Sequence, residues 1–145
     1  MARAMAPADA GALGQARVLD TSDPTYQAWQ LLHIGFTIAP IVAGLDKFFG
    51  LLVNWDQYLA PAIAHLTPLG SNLMVLAGVV EIIAGLVVFM RPKFGGYLVA
   101  AWLLGIIVNL LLIPGYYDIA LRDVGLLLGA LALARLSEQF PGRVW

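Results

Sequence analysis

The stretch that decides the fold is SNLMVLAGVVEIIAGLVVFM, Ser71 to Met90, with Glu81 as its single ionisable side chain. A helix of about 20 apolar residues crosses the ~30 Å hydrocarbon core of a bilayer, and this stretch supplies them. It lacks the two-residue alternation of a half-buried strand. Unpaired strands would also leave backbone groups without partners in lipid. A membrane helix is therefore expected.

Working outward, Arg91, Pro92 and Lys93 form a short basic turn, and a second apolar stretch follows from Phe94 to Ile113, stopped by Pro114 and Gly115. Upstream, Trp29 to Gly50 is a third such stretch, with Pro40 inside it; downstream, Tyr117 to Leu136 is a fourth. Ser22-Asp23-Pro24 supplies a helix start, because Ser or Asp caps the first amides and Pro fits the first turn. The expected fold is thus an all-α membrane protein, with four transmembrane helices in an antiparallel bundle. Residues 24–137 form this domain, between a flexible tail over 1–23 and a short tail over 138–145.

The composition agrees. Of 145 residues only 12% are charged, eight Lys or Arg and nine Asp or Glu, while 61% are apolar. An ordinary soluble domain is about 25% charged. The mean hydropathy is +0.84, and a soluble fold of this size could not hide that much apolar surface. A net charge of −1 offers no basic patch for nucleic acid. Cysteine is absent, which removes disulfides, thiol redox chemistry, Cys-ligated iron–sulfur clusters and c-type haem attachment. No set of residues is spaced to hold a metal. Asp9, Gly11 and Gly14 interrupt the N-terminal tail, so no signal peptide is expected there.

Residues 51–69 are the one long connection. Trp55, Tyr58, Leu59, Ile63 and Leu66 recur at three- and four-residue spacings, as in a short helix lying in the interface between the first and second membrane helices. Arg3, Arg17, Arg91, Lys93, Arg135 and Arg143 fall on one side of the expected topology, and the loops 51–69 and 114–116 carry no Lys or Arg. The positive-inside rule then places both termini in the cytoplasm.

Charges inside membrane helices cost about 2.5–3.5 kcal/mol each on insertion scales, so those retained are informative. Asp46 and Lys47 end the first helix, Glu81 sits midway along the second, Asn109 is late in the third, and Asp118, Arg122 and Asp123 open the fourth. All but Glu81 fall in the extracytoplasmic half. Glu81 shares a face with Gly78 and Gly85, Asn109 with Ala101 and Gly105, and Asp118 and Arg122 with Gly125, Gly129 and Ala132. Small residues permit close helix approach, so these faces are expected to point inward. They would gather Lys47, Glu81, Asn109, Asp118, Arg122 and Asp123 into a buried polar pocket. Arg122 is expected to pair with Asp118 one turn away, and Lys47 or Arg122 to reach Glu81. Asp46 and Asp118, nearest the helix ends, are the candidates to snorkel to the interface. His33 is expected to be a hydrogen-bonded helix contact, and Trp102 and Phe48-Phe49 packing residues. The pocket admits three readings: ligand or partner binding, a proton relay or small transporter using Glu81, or a network that only fixes helix register.

Several segments resemble one family. AGLDKFF over Ala43–Phe49, Trp55 with Tyr58-Leu59, EIIAGL over Glu81–Leu86 and DVGLLLGA over Asp123–Ala130 are similar to the corresponding stretches of the DoxX-like membrane proteins. The likeness runs over residues 29–136. Gln30, Leu31 and His33 stand where members often carry an Arg. The resemblance implies a four-helix protein of the bacterial or archaeal cytoplasmic (inner) membrane. Its name-giving members are similar to the small subunit of a thiosulfate:quinone oxidoreductase. It further implies an accessory subunit of a membrane oxidoreductase or respiratory assembly, not catalytic alone. Its partners would be the lipid bilayer, redox subunits and a quinone, with oligomerisation left open.

Overall fold

The computed structural model describes residues 20–70 and 72–142. Most of the expected N-terminal tail, Ser71 and the end of the C-terminal tail lie outside that range. The described chain is helical and contains no strand. Its helices are α1 (Pro24–Phe49), α2 (Pro61–Ala64), α3 (Asn72–Met90), α4 (Pro92–Leu111) and α5 (Tyr117–Leu136). Helices α1, α3 and α4 are long and apolar enough to cross a membrane. Helix α5 matches α4 in length but carries Asp118, Arg122, Asp123 and Arg135, and it does not reach that apolar standard.

Local chemistry sets the ends. Asp23 caps α1 by accepting from the Thr25 amide at 2.9 Å, with Pro24 in the first turn. Helix α1 thus begins five residues before the apolar stretch does. It stops at Gly50, whose φ of +62° suits glycine and whose amide donates to the Asp46 carbonyl at 2.6 Å. The connection after it differs from the single interfacial helix expected. It consists of a 3-10 turn over Trp55–Tyr58 and the one-turn helix α2, separated by Leu59 and Ala60 in extended conformation. Pro61 is the reason: it has no amide to donate and pushes Ala60 out of the helical region. Amphipathic spacing does not register that break.

Helix α1 packs mainly along α3, and α4 along α5, with fewer contacts joining the two pairs. The core lies where the Arg91 turn meets the start of α1 and the end of α5. There Tyr26, Trp29, Ala84, Val88, Val99, Ala100, Leu103, Ala130, Leu133 and Phe140 are buried together. Phe140 follows a 3-10 turn over Ser137–Gln139 and packs against Tyr26 and Trp29 at ring separations of 5.5 and 5.4 Å, so the core extends past the boundary expected at residue 137. Two polar bonds lock this end. The Trp29 indole donates to the Ser137 hydroxyl at 2.9 Å, and that hydroxyl donates to the Leu133 carbonyl at 2.7 Å. His33, fully buried, donates from Nε2 to the Val88 carbonyl at 3.0 Å. That carbonyl's helical donor would be residue 92, and Pro92 has no N–H. His33 is therefore the expected helix-contact residue, and it supplies the missing donor.

The small-residue faces divide. On α3 the expected face is the packed one: a Cβ on Gly78 would lie 2.7 Å from the Gly44 carbonyl oxygen, and one on Gly85 2.8 Å from that of Thr37. On α5 the expected face is packed only at Gly129, where a Cβ would lie 3.1 Å from the Phe36 ring. Asp118, Arg122 and Ala132 are exposed, and Gly125 has nothing within 4 Å. The buried residues of α5 are Ala120, Ala130, Leu133 and Ala134, the last two alanines fitting against Gly96 of α4. Helix α5 carries small residues on more than one face, and only the partner surface selects between them.

Gly78→Val should therefore lower the thermal unfolding midpoint in detergent, by the equivalent of about 1–3 kcal/mol for an overpacked contact. Gly125→Ala should leave it unchanged or raise it by up to about 1 kcal/mol through helix propensity. Equal losses in both would contradict the close α1–α3 approach.

Candidate functional site

At the end away from the core, the helices enclose a cavity of about 760 Å³. Its walls come from α1, α3, α4 and α5, and its roof from the 51–63 connection. Apolar side chains dominate; the exceptions are Lys47, Glu81, Asn109, Arg122 and Asp123, and the aromatics Trp55, Tyr58 and Trp102 each carry one polar group.

The central feature is an ion pair. Lys47 Nζ lies 2.6 Å from Glu81 Oε2, with side chains 5% and 9% exposed. The pair stands just beside the Gly44–Gly78 contact, which brings α1 and α3 close enough for it to form. Two indoles frame it. The Lys47 ammonium sits 3.7 Å from the centre of the Trp55 ring, a cation–π contact worth about 0.5–2 kcal/mol. The Trp102 N–H points at Glu81 Oε1 from 3.4 Å, a long bond.

Two further side chains tie the roof down. Asp46 is buried, 5% exposed. Its Oδ1 accepts from the Leu51 and Leu52 amides at 2.9 and 3.0 Å, and its Oδ2 from the Trp55 indole at 2.7 Å. Asp46 does not snorkel; the chain reverses at Gly50 and brings donors back to it. Asn109 Nδ2 donates to the Tyr58 carbonyl at 2.5 Å, and Oδ1 accepts from the Ala60 amide at 2.9 Å. One amide side chain thus satisfies two backbone groups of the roof, the donor and acceptor pairing that Asn offers.

The other expected pocket residues are less enclosed. Asp123 is half-buried on the cavity wall, and Arg122 lines it while remaining exposed. Asp118 is exposed and is not part of the wall. The expected Asp118–Arg122 pair is not formed: among the described residues the ion pairs are Lys47–Glu81, Lys93–Glu138 and Arg135–Glu138. One turn of separation permits such a pair, but both side chains here have solvent or cavity to enter. Trp55 and Trp102 are the residues that the sequence reading undervalued. Trp102 carries a usable signal, since a Trp one helix away from a buried carboxylate has an N–H that needs a partner. Phe48 and Phe49, 47% and 71% exposed, face mainly outward.

Chemically, the site offers donors at Lys47, Trp102 and Arg122 and acceptors at Glu81 and Asp123, all in an apolar chamber. Its volume lies within the range of about 300–1,000 Å³ of small-molecule pockets. The chain matches no family model, and no curated protein or solved structure matches it.

Removing one partner of a buried pair leaves a charge without compensation, at about 3–5 kcal/mol. Lys47→Met and Glu81→Gln should each destabilise the protein strongly, and the double variant should cost less than the two together. Additive losses in a double-mutant cycle would show the pair to be energetically idle. Asp46→Ala should, separately, speed amide exchange at Leu51 and Leu52 while leaving the Trp29–Phe140 core protected.

Proposed function

We propose that this is a four-helix, antiparallel transmembrane bundle of a bacterial or archaeal cytoplasmic membrane. It serves there as an accessory subunit of a membrane oxidoreductase or respiratory assembly, and its cavity takes the head of a quinone. The observation that carries the reading is the Lys47–Glu81 pair set in the wall of an apolar cavity of about 760 Å³. A quinone head presents two carbonyl acceptors on an apolar ring. Lys47, Trp102 and Arg122 present donors toward the same space, so the residues fit the group. A bound quinone would supply the electron chemistry of the assembly; the chain's own part is to hold and orient the head. The resemblance to DoxX-like proteins over residues 29–136 supports the redox setting.

In this reading α5 crosses the bilayer despite its charges, because Arg122 and Asp123 line the cavity. Both termini and the Arg91 turn lie in the cytoplasm, and the 51–63 roof faces the other side. The same ion pair also suits a purely register-setting role, which predicts loss of stability and nothing else on mutation.

Two measurements test this. Since the chain has no cysteine, Lys93→Cys and Gln57→Cys each introduce a sole thiol. A membrane-impermeant maleimide added to intact cells should label the second and not the first; the reverse pattern overturns the orientation. Purified protein should bind decyl-benzoquinone, read as a rise in thermal midpoint. Trp102→Phe and Arg122→Gln should weaken that binding while remaining folded. An intact protein that binds no quinone, and that is recovered from native membranes without a redox partner, would overturn the functional reading.

A further inference from the structure

We infer that the cavity is filled from the side, by a chain-bearing molecule dissolved in the bilayer that passes between α3 and α4. This rests on the bilayer placement proposed above, but not on a quinone as the occupant.

Three routes are closed, and the α5 side of the cavity is bounded by the exposed charge of Arg122, which disfavours a hydrocarbon chain. The roof is tied by Asp46 and Asn109, and Ala60 at its centre is fully buried. The floor is the packed core, with Leu103, 8% exposed, at its edge. The α1–α3 seam is shut by the Gly44–Gly78 contact.

The α3–α4 seam is different. Near the Arg91 turn it is tight, since a Cβ on Gly95 would clash with the Val88 backbone. Toward the roof, the Trp102–Glu81 bond is followed by residues that line opposite cavity walls. At about 100° per residue, Leu76 lies about 160° round α3 from Gly78, which packs on α1. Gly105 lies equally far round α4 from Leu103, which faces the core. Yet both Leu76 and Gly105 line the cavity. Leu76 is 47% exposed, and Gly105 is exposed with nothing within 4 Å of a side chain built there. The cavity therefore runs out between the two helices to their outer surfaces. A mouth at that height on apolar helices opens onto hydrocarbon, and the matching entrant is an acyl or isoprenoid chain. The ion pair and Trp102, at the inner end of the passage, meet whatever polar group the chain carries.

The test uses the full chain in vesicles of phosphatidylcholine whose acyl chains are brominated at mid-chain. Bromine quenches indole fluorescence on contact, and the Trp102 contribution is the difference from Trp102→Phe. In the otherwise intact protein the Trp102 signal should be quenched. Gly105→Phe, or the smaller Gly105→Met should the first not fold, should lose most of that quenching, as should Leu76→Phe. Gly125→Phe, on an open face of α5, should keep it. No quenching in the intact protein, or quenching that survives both plugs, overturns side entry. Because the brominated lipid has no quinone head, a protein that fails to bind decyl-benzoquinone can still pass this test. One that binds the quinone can still fail it.

Discussion

The Lys47–Glu81 bond is the interaction on which the rest of this structure depends. Two opposite charges buried in an apolar setting are tolerable only when they meet at close range and with further hydrogen bonds. That requirement fixes the rotation and the axial register of α1 against α3. The Gly44–Gly78 contact beside it allows the distance, and Trp55 and Trp102 occupy the two flanks. A one-residue slip of either helix would turn one charge by about 100° and leave the other alone. The pair therefore specifies an arrangement more than it adds net stability.

From this follows a division of labour along the helices. At the Arg91 end, close packing among Trp29, Val88, Ala130 and Leu133, all without exposed surface, makes the body rigid. At the other end the same helices leave a chamber, and polar bonds substitute for packing. Asp46 and Asn109 hold the roof through backbone groups that would otherwise be unsatisfied near an apolar interior. Bonds of this kind add a net ~0.5–1.5 kcal/mol each, well below what a filled core gives. The hollow end is thus held by a few polar bonds, and the packed end by close contact of side chains.

Much of this was legible in the sequence. Length and hydropathy give the helices, Ser22-Asp23-Pro24 gives the start of α1, and the Gly78–Glu81–Gly85 spacing gives the inward face of α3, though not its partner α1. His33 reads correctly as a contact residue. What the sequence could not give depends on partners. The choice of packed face on α5 was made by Gly96 meeting Ala130 and Ala134, which spacing within α5 does not encode. Asp46 reads as a terminal charge bound for the interface. Its burial comes from a chain reversal at Gly50 that returns three donors to it. Asp118 fails to join the site for a matching reason: on the first turn of α5 it lies outside the chamber that Ile119, Arg122 and Asp123 line. The chamber itself is invisible in sequence, because an absence of contact leaves no residue pattern.

The charge balance of the wall bears on which molecules suit it. Lys47 and Arg122 bring two cations, Glu81 and Asp123 two anions. Lys47 and Glu81 already neutralise each other at 2.6 Å. An ionic ligand would have to compete with a bond formed in low dielectric, where unpaired charge is most costly. A neutral head with acceptor atoms needs no such exchange. It can take the hydrogens that Lys47 does not give to Glu81, and the Trp102 N–H, whose bond to Glu81 at 3.4 Å is the weakest in the site. The wall is therefore better matched to an uncharged, acceptor-bearing group on an apolar carrier than to an ion crossing the membrane.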